Sequence, residues 1–210
     1  PVSVIRANSE TLIDGALDDK KQAKVFAKAI LHNAERLTDM VSSLLDLSRI
    51  EYGELKLNFE EINLDSFIQN YIQSVINLSK KKQINILYKP KHKGTVNADL
   101  QAIERIMNNL IDNAIKYSEN GSDITISTSN ESDNYIKVMV KDTGEGISDE
   151  DINHIFSRFY RTASARATDN QGSGLGLAIV KHLVNNLNGE VGIESKPQEG
   201  SIFWFTLPNH

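Results

Sequence analysis

Asn109 and Asn113 stand four apart in the run Asn108-Asn109-Leu110-Ile111-Asp112-Asn113-Ala114-Ile115-Lys116-Tyr117. On a helix that spacing puts both amides on one face. Asn is a poor helix former, so two on one face need a reason. Side-chain carbonyls are hard oxygen ligands of the kind Mg²⁺ takes, and Lys116, three residues past Asn113, can share a phosphate with them. Two glycine clusters follow: Asp142-Thr143-Gly144-Glu145-Gly146-Ile147, and Gly172-Ser173-Gly174-Leu175-Gly176-Leu177. Glycines let a backbone approach a ligand closely, and a helix N-terminus offers free N–H groups to phosphate. Between the clusters lies Ile155-Phe156-Ser157-Arg158-Phe159-Tyr160-Arg161. Its aromatics Phe156 and Phe159, three apart, suit the anchor of a loop, and Arg158 and Arg161 suit phosphate. Thr162–Gln171 is polar without a core pattern, the composition of a lid that orders over a ligand. Taken singly, each cluster is equally a turn or a solvated face.

The common phosphate motifs are absent. There is no Gly-Lys pair, hence no G-x-x-x-x-G-K-[ST] loop, and neither cluster satisfies G-x-G-x-x-G. The 210 residues carry a net charge of −5, which disfavours a general nucleic-acid binder. Cys is absent, which excludes disulfides, Cys-ligated zinc and thiol nucleophiles and fits a reducing compartment. No apolar run approaches the ~20 residues needed to span a bilayer.

The elements that must position these residues follow from periodicity. Residues 2–16 read as a short amphipathic helix, with a break at Gly15 and Asp18-Asp19. From Lys20 to Glu51 there is no Gly or Pro, and Phe26, Ile30, Leu37, Met40, Val41, Leu44 and Leu47 recur at helical spacing. A helix of about 30 residues is ~45 Å long and cannot bury its stripe on the short first helix alone. The expectation is a helical hairpin that dimerises into a four-helix bundle. Beyond Gly53, strands are expected at 55–59, 83–88, 95–97, 123–129, 135–141, 190–195 and 201–207. Helices are expected at 65–80, 99–117, 149–156 and 174–187. The fold class is α+β: a helical hairpin, residues 1–55, followed by an α/β sandwich, residues 56–210.

Taken together, the four segments resemble, in order and spacing, the N, G1, F and G2 boxes of sensor histidine kinases. Among these the spacing looks most like the phosphate-regulon type. The resemblance implies the Bergerat ATP-binding sandwich shared with DNA gyrase and mismatch-repair ATPases, with ATP and Mg²⁺ as ligands. It implies that Asp142 accepts a hydrogen bond from the adenine amino group, with Gly144 and Gly146 leaving room for the purine and Ile147 packing on it. Asn113 would bind Mg²⁺ with Asn109 in support, and Tyr117 would line the pocket. Lys116, Arg158 and Arg161 would serve the phosphates, as would Gly172, Ser173, Gly174, Leu175, Gly176 and Leu177. The ATP-hydrolysing relatives carry Glu where Asn109 stands. An amide cannot act as a general base, so the resemblance points to phosphoryl transfer rather than hydrolysis.

Residues 1–51 resemble the dimerisation and histidine-phosphotransfer hairpin. Pro1-Val2-Ser3-Val4-Ile5 is similar to the continuation of H-E-x-x-T-P, which puts the acceptor His upstream of Pro1. His32, His92, His154, His182 and His210 lack that context, so residues 1–210 are expected not to phosphorylate themselves. The implied partners are a response-regulator receiver domain and a second copy of the chain, with no nucleic acid. The implied location is the cytoplasmic part of a bacterial inner-membrane sensor whose membrane segments lie upstream. The competing readings are a Bergerat-fold ATPase and a nucleotide-gated dimeric scaffold or phosphatase of a response regulator.

Overall fold

A computed structural model of the chain describes residues 1–51, 56–168 and 172–209. Its backbone divides into two compact units, Pro1–Ser48 and Arg49–His210. The first holds helix α1 (Val2–Ile13), a 3₁₀ turn at Ala16–Asp18, and nearly all of α2 (Lys20–Glu51). Gly15 makes the break at a φ of 127°, and Asp19 starts α2 by accepting from the N–H groups of Lys21 and Gln22. With 12 residues against 32, α1 is too short to cover the length of α2. Val25, Leu31, Val41, Leu44 and Leu45 remain exposed.

The second unit holds β1 (Glu60–Ile62), α3 (Leu64–Lys81), β2 (Asn85–Lys91), β3 (Val96–Ala98), α4 (Leu100–Tyr117), β4 (Asp123–Ser132) and β5 (Tyr135–Lys141). After these come α5 (Asp149–Ile152), α6 (Ala163–Thr168), α7 (Gly176–Asn186), β6 (Val191–Lys196) and β7 (Gly200–Pro208). The main sheet runs β2-β4-β5-β7-β6. Only the β2–β4 pair is parallel, and β1 pairs with β3 separately. Burial alternates along the central strands as a one-sided sheet requires. Ile124, Ile126, Ile136, Val138, Val140, Phe203, Phe205 and Leu207 are buried. Their partners in the core are the apolar stripe of α4, from Ala102 to Ala114, and that of α7, from Ala178 to Val184. The result is an α/β sandwich.

Three expected elements differ. No strand forms at 56–59, and Leu55 and Gly53 lie outside the described residues. The Asn58 N–H donates to the Asp99 carboxylate at 2.7 Å instead of joining a ladder, and the strand starts at Glu60. The other oxygen of Asp99 caps α4 by accepting from Ala102 N–H at 2.8 Å, so one side chain serves both segments. The helix expected at 149–156 is a single turn, capped by Ser148 and followed by turns through His154 and Ser157. Within the polar stretch 157–173, α6 forms because Thr162 Oγ1 accepts from Ala165 N–H at 3.0 Å. Six residues are too few to display a period. Residues 169–171 of that stretch, and His210, lie outside the described residues.

Candidate functional site

The helix α4 carries Asn109, Asn113, Lys116 and Tyr117 half-buried, while Asn108 and Asp112 are more exposed. Asn109 Nδ2 donates to the Arg105 carbonyl at 2.8 Å. This orients its Oδ1 toward the first residue of α7: a Cβ at Gly176 would sit 2.6 Å from that oxygen. The amide of Asn113 engages no partner among the described residues. Lys116 Nζ lies 6.0 Å from the centre of the Tyr117 ring.

Asp142 ends β5 and is buried. Its Oδ1 accepts from the N–H groups of Gly144 at 2.9 Å and Ser201 at 3.2 Å. Its Oδ2 accepts from no donor among the described residues. Burial pushes its pKa up, and the two N–H bonds offset part of that rise. The loop beyond it is strapped to the β6–β7 hairpin. Ile147 N–H donates to Ser195 Oγ at 2.9 Å, and Gln198 N–H donates to the Glu145 carbonyl at 2.7 Å. Gly146 has a φ of 70°, and a Cβ there would stand 1.9 Å from the Lys196 carbonyl oxygen. A Cβ at Gly144 would stand 2.6 Å from the Tyr117 carbonyl oxygen. These glycines therefore make room for the protein's own backbone.

Leu175 stands at the N-cap of α7, where an apolar side chain supplies no cap. The N–H groups of Gly176, Leu177 and Ala178 donate to no acceptor among the described residues. The Leu175 N–H donates to Ser173 Oγ at 3.2 Å. Leu175 itself is fully buried, while Gly172, Ser173, Gly174 and Leu177 are half-buried. Gly174, at a φ of 72°, lies directly against Phe159, whose N–H donates to the Gly174 carbonyl at 2.9 Å.

The aromatic anchor differs from expectation. Phe159 is 60% exposed and adopts a φ of 60°, which turns its side chain outward while its backbone docks on Gly174. Ile155, only 5% exposed, buries in its place, and Phe156 is half-buried. Arg158 is exposed. Arg161 Nη2 donates to the Ala165 carbonyl at 2.5 Å, so the guanidinium rests on α6. Two residues that sequence reasoning missed tie this segment down: Tyr160 Oη donates to Asp151 Oδ1 at 2.6 Å, and the Tyr160 ring lies 5.4 Å from that of His154. That bond and the one from Ser148 hold the half-buried Asp151 carboxyl below its ordinary value. His32 and His154 are exposed.

The four segments thus form an unbroken chain of contacts. Asp142 holds Gly144, Gly144 meets Tyr117 at the end of α4, Asn109 of α4 meets Gly176, and Gly174 meets Phe159. Residues 98–210 match the family described as "Histidine kinase-, DNA gyrase B-, and HSP90-like ATPase", and residues 1–53 match "His Kinase A (phospho-acceptor) domain". The chain belongs to the sensor histidine kinase family. It is similar to the sensor-like histidine kinase SenX3 of Mycolicibacterium smegmatis, 33% identical over 210 residues, covering 100% of this chain and 54% of the relative. The chain thus spans about half the length of the curated relatives it matches. Its fold is similar to that of histidine kinase ThkA solved in complex with response regulator protein TrrA. There the TM-score is 0.79 at 24% identity, covering 100% of this chain and 58% of that one. It is similar in fold also to full-length ShkA in complex with AMPPNP, with a TM-score of 0.75 at 22% identity over 100% of this chain and 46% of that one. Among the described residues, no helix is long and apolar enough to cross a membrane.

Proposed function

We propose that residues 56–210 bind Mg-ATP and deliver its γ-phosphoryl to a histidine, for relay to an aspartate of a response-regulator receiver domain. In this reading residues 1–55 form the hairpin that pairs with a second copy through residues 1–51. The observation that carries the proposal is the contact chain just described. It gathers a buried carboxylate acceptor, two helix amides and an uncapped helix N-terminus around one region. Asp142 Oδ2 accepts from the adenine amino group, because Oδ1 is already committed to two backbone donors.

The residues present fit the nucleotide and its metal. Asn113 offers an unengaged amide oxygen for Mg²⁺, Asn109 is oriented beside it, and the free N–H groups of Gly176 and Leu177 suit phosphate oxygens. Lys116 and Arg161 supply positive charge, and Ile147 and Tyr117 supply apolar walls. Bound ATP supplies the phosphoryl group, with its charge spread over Mg²⁺ and these cations. Asn109 favours transfer over hydrolysis, since its amide cannot take a proton from water. The exposed apolar stripe of α2 supports pairing with a second copy. The ATP-analogue complex of ShkA and the regulator complex of ThkA support the same reading.

Calorimetry tests binding: ATP binds in the presence of Mg²⁺ and weakens when it is chelated. Mixing the chain with [γ-³²P]ATP and a partner chain that bears the H-E-x-x-T-P motif tests transfer. Label on the partner's histidine supports the proposal. Steady phosphate release without labelled protein replaces it with the ATPase reading, and neither activity leaves the scaffold reading.

A further inference from the structure

The end of α4 lacks a cap of its own. The last carbonyls of a helix need partners from outside it. Here the residue after the helix, Ser118, is extended, with a φ of −82° and a ψ of 150°, so no left-handed turn closes back on the helix. Ser118 N–H satisfies only the Ala114 carbonyl. The carbonyls of Ile115 and Lys116 are instead met by one side chain from far upstream. Lys82 Nζ donates to Ile115 O at 2.9 Å and to Lys116 O at 2.8 Å, and lies 3.4 Å from Ser118 O.

Lys82 is itself held firmly. It is the C-cap of α3, and the two bonds that close that helix flank it: Gln83 N–H to Lys80 O at 3.1 Å and Ile84 N–H to Ser79 O at 3.0 Å. Gln83 takes the left-handed conformation at a φ of 55° to make them. The Lys82 carbonyl accepts from Gly121 N–H at 3.0 Å, so backbone and side chain both grip the α4–β4 connection. Further up, α3 holds α4 again through Tyr71 Oη, which donates to Asn108 Oδ1 at 2.9 Å.

The turn so gripped carries Asn113, Lys116 and Tyr117, and the next carbonyl along, that of Tyr117, abuts Gly144 of the Asp142 loop. We infer that Lys82 is a positioning residue for the nucleotide site: its ammonium caps α4 and thereby sets the last turn of that helix against the Asp142 loop. The positive charge also opposes the negative end of the helix dipole. This inference rests on the nucleotide reading above and adds to it a residue on another helix.

The test uses residues 1–210 with Lys82→Met, which keeps the apolar stem and removes every donor, and Lys82→Arg, which restores donors and charge. Titration with Mg-ATP and with adenosine is run well below the melting temperature of each variant. The expected result is a Kd for Mg-ATP raised on the order of tenfold or more in Lys82→Met, because small misplacements of binding groups are costly. Adenosine affinity changes less, since the Asp142 loop has its own straps, and Lys82→Arg recovers most of the loss. A folded Lys82→Met whose Kd stays within about twofold of the parent overturns the inference, even if its melting temperature falls, because that outcome marks a purely structural lysine. Should Lys82→Met not fold, Lys82→Gln, with one amide donor group and no charge, takes its place. A Kd for Lys82→Gln equal to that of the parent overturns the inference, and one between those of Arg and a weakened site supports it. Absence of Mg-ATP binding in the unmutated chain sinks the nucleotide reading itself, so the two failures are distinguishable.

Discussion

The loop after Asp142 and the segment from Ile155 to Gly174 are both glycine-marked and both predicted to touch nucleotide, yet they are built differently. The Asp142 loop is fastened to the β6–β7 hairpin through Ser195, Gln198 and Ser201, and its glycines are filled by protein backbone. In the other segment, among the described residues, the Phe159 N–H donates to the Gly174 carbonyl and two polar side chains bond nearby groups: Tyr160 to Asp151 and Arg161 to the Ala165 carbonyl. Under the proposed function the first would be a preformed acceptor for a flat, uncharged base. The second would hold an arginine that exchanges a carbonyl for a phosphate, at little cost because the bond it leaves is neutral at the acceptor. Recognition of the base and handling of the phosphates would then fall to a braced region and an exchangeable one.

The sharpest break in this comparison is Asp142→Ala, which removes the acceptor from the braced side. Calorimetry should show ATP affinity lost by at least about a hundredfold, since a buried donor then goes unpaired. The same carboxyl gives a pH signature. Its pKa is raised in the folded chain, so the folded state holds the proton more tightly than the unfolded one. Ionising it therefore costs folding stability as pH rises from the ordinary 3.8 through the raised value, whereas adenine binding needs the ionised form. Nucleotide affinity should fall as pH drops through that raised value, and Asp142→Asn should show no such titration.

Asn113→Ala should remove the Mg²⁺-dependent part of ATP binding while circular dichroism stays unchanged, and an unchanged ATP affinity would reject the metal assignment. Next comes Gly146→Ala. A Cβ 1.9 Å from the Lys196 carbonyl at a φ of 70° should cost about 2–4 kcal/mol in denaturant unfolding and disturb base binding with it. On the exchangeable side, Arg161→Ala should lower phosphotransfer about tenfold, because a cation suited to the phosphates is lost. The smallest effect belongs to Tyr160→Phe. Phosphotransfer should change by less than about threefold, as expected for one half-buried hydrogen bond. A large loss there would show that the segment is braced like the first and would erase the contrast.

Much of this architecture is readable from residue order. The stripe from Leu100 to Ala114, the alternation in 123–129 and 135–141, and the glycine clusters each carry their own local signal, and the elements lie where those signals put them. The failures share a cause. Residues 55–59 alternate like a strand, but Asp99, some forty residues away, takes the Asn58 N–H. The helix at 163–168 depends on one threonine cap, and Phe159 looks like an anchor while its backbone conformation turns it out. In each case the deciding partner is distant or conformational, and periodicity carries no trace of it.

The sequence by itself determined which residue types are available for nucleotide chemistry, their order along the chain and the helix face shared by Asn109 and Asn113, because those follow from local spacing. Only the tertiary structure decided what Gly144 and Gly146 make room for, which N–H groups at the start of α7 lack an acceptor among the described residues, and that the end of α4 is capped by Lys82, the C-cap of α3. These depend on contacts between segments tens of residues apart, where a separation of an ångström separates a binding group from a packed one.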